Sequence, residues 1–216
     1  DLGSLAKDIM KRGIADLGEE VWKEHIKTVE GFWGAIMKYF DSINVSEMKI
    51  YQDGMVAEGE IGRKIVEEGI KSGSKNYEII SSLLQKGAIL VKTEDFALVK
   101  RERDYLVELT KAMTRIGKLI AYLKYRLIKN ELLRKRDEFI ANRINGTLNQ
   151  GETGIIFIGA YHNIKKRLPE DIQIKEIKDV DKVGEYQMLL PFYKKNKERF
   201  EELGRYLVSK VESNSR

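Results

Sequence analysis

Ile155–His162 reads IIFIGAYH, and this octapeptide carries the fold. Four consecutive apolar residues, rich in β-branched side chains, are too short a run for a typical buried helix. A glycine and then a polar cluster close them off. That is the pattern of a buried strand delivering polar side chains at its end. Two other runs repeat it. Met48 to Tyr51 leads into Gln52, Asp53, Gly54 and Met55, and Ala88 to Lys92 leads into Thr93, Glu94 and Asp95. A fourth run, Ile172 to Ile177, is expected to be another strand. Helical patterns lie between them, so the chain is expected to be α/β, with a mostly parallel central sheet flanked by helices.

The helices differ in character. Residues 56–71 form an amphipathic pattern with Ile61, Ile65 and Ile70 roughly on one face. Ser74 or Asn76 is placed to cap a short helix from Tyr77 to Gln85, which Gly87 ends. The last helix, about Val183 to Val211, is expected to break near Pro191. Two longer helices carry alternating three- and four-residue apolar spacings. One seam is Trp22, Ile26, Val29, Trp33, Ile36 and Phe40. The other is Leu106, Leu109, Met113, Ile116, Ile120, Leu123 and Leu127. Such spacing keeps an apolar stripe on one side of a slightly supercoiled helix.

The second helix is expected from Phe96 past Leu133, on the order of 50 Å long at about 1.5 Å per residue. The chain is accordingly expected to be a single α/β domain over 1–216, with a long helical hairpin or coiled-coil-like insertion at about 96–148. The two seams either pack on each other, pair across a homodimer, or serve as an arm on a nucleic acid.

Composition narrows the function classes. The 216 residues are 42% hydrophobic and 34% charged, which excludes a disordered chain. Lys and Arg number 39 against 34 Asp and Glu, a net +5 with both signs interspersed. A nucleic-acid binder usually segregates a stronger excess, so nucleic acid is not expected as a partner. With no cysteine there is no thiolate nucleophile or thiolate metal site. Any metal would take oxygen ligands and imidazole, from His25 or His162. No apolar run is long enough to span a bilayer, so a cytoplasmic protein without a membrane partner is expected. The composition, with no cysteine and abundant Lys and Glu, is thermophile-like.

In open α/β sheets, ligands bind beyond the carboxyl ends of the strands. Three polar clusters occupy those positions: Asp53 with Gly54, Glu94 with Asp95, and Tyr161 with His162. Glu58 and Glu60 open the helix after the first cluster. If the strands are neighbours, Asp53, Glu94 and His162 share one cleft, either as ligands of a divalent metal or with His162 as a general base. Each carboxylate also has a structural reading, Asp95 as a helix N-cap, Glu94 as a favourable charge on a first turn, and Asp53-Gly54 as a turn pair. Gly159 permits close backbone approach, and with Tyr161 it is a candidate cofactor-binding position. Arg136, Ile140 and Arg143 share a helical face, from which the two arginines are placed to clamp a carboxylate or phosphate.

The stretch LLRKRDEFIANRINGTLNQGETGIIFIGAYH resembles the superfamily of erythromycin-esterase-like enzymes, TraB/PrgY-type proteins, Tiki-type metalloproteases and ChaN-like haem-binding proteins. The matching residues are Arg136, Asp137, Ile140, the strand Ile155 to Ile158, Gly159 and His162, with Asp53-Gly54 similar to an acidic-glycine strand end. The resemblance implies a metal-dependent hydrolase-like protein acting on an unknown small molecule or peptide. Haem is the alternative cofactor. A non-catalytic ligand-binding or signalling scaffold that dimerises through its long helices is the competing expectation. The family's first motif, Gly-x-x-His after an N-terminal strand, has no counterpart here. The opening DLGSLAKDI looks like the helix that follows that motif, so the expectation is either an upstream strand bearing a second histidine or a site without that ligand, in which metal hydrolysis is not expected.

Overall fold

In the computed structural model the described residues are 13–111 and 115–211, with the side chains of 109–124 outside the description. The opening DLGSLAKDI therefore lies outside the described residues. The chain divides into two compact units, one of residues 1–46, 66–87 and 175–216, the other of residues 47–65 and 88–174.

The second unit holds the sheet. Strands β1 (Lys49–Gln52), β2 (Ile89–Val91) and β3 (Gly154–Phe157) are the three expected strands, all parallel, in the order β2-β1-β3. Tyr51 faces Val91 on one side and Ile156 on the other. Successive residues Ile50, Tyr51 and Gln52 are all buried, so the central strand is covered on both faces.

Helix α1 (Glu19–Asp41) precedes the sheet. The connection from β1 to β2 carries α2 (Gly59–Lys71) and α3 (Lys75–Gln85), and that from β2 to β3 carries α4 (Phe96–Lys111) and α5 (Arg115–Thr147). The segment expected as one long helix is thus two helices that pack on each other, on a crossover that parallel strands require. The C-terminal half of α5 covers the sheet. Its Ile140 and Ile144 join Tyr51, Val91 and Ile164 in one core cluster. Of the expected seam, Leu109, Met113, Ile116, Ile120 and Leu123 fall outside the described side chains, while Leu106 and Leu127 are exposed, Leu127 by 82%.

Two expectations need correction. Residues 172–177 form no strand. Ile172 anchors the segment against the core, its N–H bonded to the Pro169 carbonyl, while Ile174 is exposed, so the apolar alternation marks a surface strap. In α2, Ile61 faces outward, and the inward stripe is Gly62, Val66 and Gly69. The glycines let neighbours approach closely. A Cβ on Gly62 would lie 2.8 Å from Leu90, and one on Gly69 would lie 2.2 Å from the Tyr77 ring.

In the first unit, α1 is covered by α7 (Lys197–Val208) and α3, and α6 (Val180–Leu189) packs on α7. Gly31 makes room for Val208 at the α1–α7 contact. The break expected near Pro191 is a 3-10 turn over Leu190–Lys195. Tyr186, Leu203 and Leu207 form one core cluster of this unit, and Ile36, Phe40, Ile79, Ile80 and Leu83 are also buried in it. Among the described residues no helix is long and apolar enough to cross a membrane.

Candidate active site

The strand ends of the second unit are tied to one another before any side chain is considered. The Asp53 N–H donates to the Phe157 carbonyl at 2.8 Å, and Gly54, at φ 80°, closes a turn in which the Met55 N–H donates to the Gln52 carbonyl. This positive φ is the third-position geometry of a type II turn, where glycine fits without a steric cost. The Met55 carbonyl then accepts from both Thr93 and Glu94 N–H, at 2.8 and 2.9 Å. Thr93, fully buried, accepts from the Gln52 N–H and donates to the Val91 carbonyl. The loops after β1 and β2 are thereby fixed as a unit. Asp95 is the N-cap of α4, its Oδ1 accepting from the Leu98 N–H at 3.0 Å.

Helix α5 delivers two adjacent residues to this platform. Arg136 donates from Nε to both Glu94 oxygens at 3.1 Å and from Nη2 to Glu94 Oε1 and Asp53 Oδ1, each at 2.5 Å; its Nη1 donates to Glu102. All three guanidinium nitrogens are engaged by three carboxylates. Asp137 holds His162, with Oδ1 2.6 Å from Nδ1, and its Oδ2 accepts from the Asn163 N–H at 2.9 Å. On the other edge of the imidazole, Nε2 lies 3.3 Å from Asp53 Oδ2, which also faces the Gly159 N–H at 3.4 Å. A continuous line of polar contacts runs Glu94–Arg136–Asp53–His162–Asp137.

The electrostatics push the two central groups apart. Burial alone would raise the Asp53 carboxyl, but the His162 hydrogen bond and the Arg136 charge outweigh it and hold the pKa at about 2. Burial would lower His162, yet its bonds to Asp53 and Asp137 dominate and raise it. For Glu94, which has no exposed surface, burial together with the Asp53 charge outweighs the Arg136 contacts and raises its pKa. Burial would likewise lower Arg136, but its carboxylate partners raise it, so the guanidinium stays charged.

Asp53, Glu94, Arg136 and His162, proposed from sequence, therefore meet, with Gly159 beside them. Arg143 stands elsewhere, donating from Nε to the Lys92 carbonyl at 2.9 Å, with Nη2 3.5 Å from Glu58. Glu58 in turn accepts from the Lys92 N–H, so this pair staples the end of β2. Tyr161 is exposed, with Lys129 Nζ 5.5 Å from its ring centroid. His25 belongs to the other unit, its Nδ1 3.1 Å from the Tyr186 hydroxyl.

Sequence reasoning did not give Asp137 a role at the imidazole, nor Glu102 any role. Asp137 had a signal, its place beside Arg136 in the quoted motif, whereas Glu102 sits in a charged helix with nothing to single it out. Among the described residues no group of three or more His, Asp or Glu side chains is arranged to hold a metal ion. Of the three candidate ligands, Glu94 is taken up by the guanidinium fork. No family model, curated protein or solved structure matches this chain.

Proposed function

We propose that the second unit is a hydrolase-like acid–base site centred on His162 and Asp53. The observation that carries this reading is the imidazole held between Asp137 at Nδ1 and Asp53 at Nε2. Paired titratable groups whose surroundings drive their pKa values in opposite directions take opposite roles in proton transfer. Asp53 stays ionised while His162 keeps its proton to higher pH than a free imidazole.

In the proposed reaction, water adds across the scissile bond. Its oxygen bonds to the electrophilic centre, its proton passes to Asp53, and the Nε2 proton of His162 passes to the leaving group. A proton returning from Asp53 to His162, over 3.3 Å, restores both groups. Asp137 is a positioning residue that fixes the ring, as in other carboxylate-oriented histidines. Arg136 is a positioning residue that holds Asp53 in place.

A second reading has a specific support. An imidazole tied at Nδ1 to a carboxylate is the usual orientation of a metal-ligating histidine, and Nε2 with Asp53 Oδ2 would offer two donors to a divalent cation. This is also the reading to which the superfamily resemblance points, since Arg136, Asp137 and His162 are its signature positions. Pairing of two copies through α4 and α5 is supported by the exposure of Leu106 and Leu127.

Turnover of chromogenic carboxyl-ester, amide and phosphoester substrates by the full chain, with and without added metal, tests the reading. Activity lost in both His162→Gln and Asp53→Asn, with the fold retained, supports it. Hydrolysis unchanged in either variant would sink it. Metal bound by the wild type and lost in His162→Gln would decide for the second reading.

A further inference from the structure

The floor of this site is acidic. Among the described residues, the cationic partners of Asp53, Glu94, Glu102 and Asp137 are Arg136 and His162, two against four, so an anionic group is unwelcome there. Cations stand beside it. Lys129 lies seven residues before Arg136 on α5, two turns away on the same face and about 10 Å along the axis. Its ammonium stands over Tyr161, which is 61% exposed and adjoins His162 in the chain. The 3-10 turn Lys165–Arg167, three residues past His162, packs on α5 and presents Lys166 and Arg167 to solvent. Lys129, Lys166 and Arg167 have no ion-pair partner among the described residues, whereas Glu131 and Glu138 on α5 are paired with Lys135 and Arg134.

We infer that Lys129, Tyr161, Lys166 and Arg167 form a recognition rim for an oxyanionic group of the substrate, a phosphate or carboxylate carried on the part that does not react. This rests on the reading of the His162 site as the reaction centre, and it gives that site a polarity. The anionic handle sits on the rim, and an uncharged scissile bond reaches the acidic floor, where a negative charge would be repelled. Tyr161 supplies an apolar face beside the cations, and a guanidinium suits a planar oxyanion. Cations without acidic partners keep their full charge for a ligand.

The test is calorimetric titration of the full chain with pyrophosphate and, separately, citrate, at low and moderate salt. Binding of either anion that weakens with salt, and falls about tenfold or more in the Lys129→Gln/Lys166→Gln double variant, is the expected result. The stronger of the two anions identifies the handle as phosphate or carboxylate. No binding of either, or equal binding by wild type and variant, would overturn the inference. The His162 imidazole titration, followed by NMR in the same variant, shows that the fold and the floor are intact. Anion binding is read without turnover, so a rim that fails here and a reaction centre that fails under His162→Gln are separate results.

Discussion

Asp137 and His162 lie 25 positions apart in the chain, and their side chains meet at 2.6 Å between Oδ1 and Nδ1. The bond fixes which imidazole nitrogen faces Asp53. It also gives the protein two histidines in opposed environments, because His25 in the other unit is lowered by burial alone.

The NMR titration of the two imidazoles should therefore split. His162 is expected to titrate above its ordinary value of 6.5 and His25 below it. In Asp53→Asn the His162 titration should move down, because one of the two carboxylates that favour its charged form is gone. Coincident titrations in the wild type would contradict the geometry around His162.

Stability should follow the same groups. The raised His162 contributes stability in full below 6.5, and this is lost as pH rises through its folded-state pKa. The lowered Asp53 contributes stability above 3.8, and this is lost as pH falls toward 2. Urea unfolding of wild type and His162→Gln should differ most near pH 5, with the gap narrowing by pH 9. A gap that widens with pH would reverse the sign of the argument.

Arg136→Leu should cost about 3–5 kcal/mol in urea unfolding, because it leaves Glu94 buried without its cation. Pairing that change with Glu94→Leu should recover much of the loss, since neither partner then remains as an unpaired charge. A double variant no more stable than the single one would mean that Arg136 acts through Asp53 and Glu102 instead.

Gly69→Ala tests the packing of α2. Helix propensity favours alanine by about 1 kcal/mol, yet the new Cβ would lie 2.2 Å from the Tyr77 ring. Overpacking of this kind typically costs about 1–3 kcal/mol. A net destabilisation in urea unfolding is expected, and a stabilised variant would show that the ring yields freely.

The three strands were legible because each is a short apolar run ended by polar residues, a pattern set by local chemistry. Ile172 to Ile177 carried a similar pattern and formed no strand: Ile172 packs against the core while Ile174 is left exposed. Asp53, Glu94 and His162 were legible as strand-end residues. What they do to one another was not, since Arg136, expected to clamp a carboxylate or phosphate, spends its fork on the protein's own Glu94 and Asp53. Glu102 shows the limit most clearly. It resembles every other glutamate on α4 until the fold sets it beside Arg136.

The strand order β2-β1-β3 also bears on synthesis. The central strand gains one neighbour when β2 is made and the second only when Phe157 has been added, about a hundred residues after Gln52. Until then a nascent chain exposes an open edge of β1, and His162 has not yet been made. A stalled or truncated translation product would thus be sticky and inert together, a natural client for a chaperone or protease.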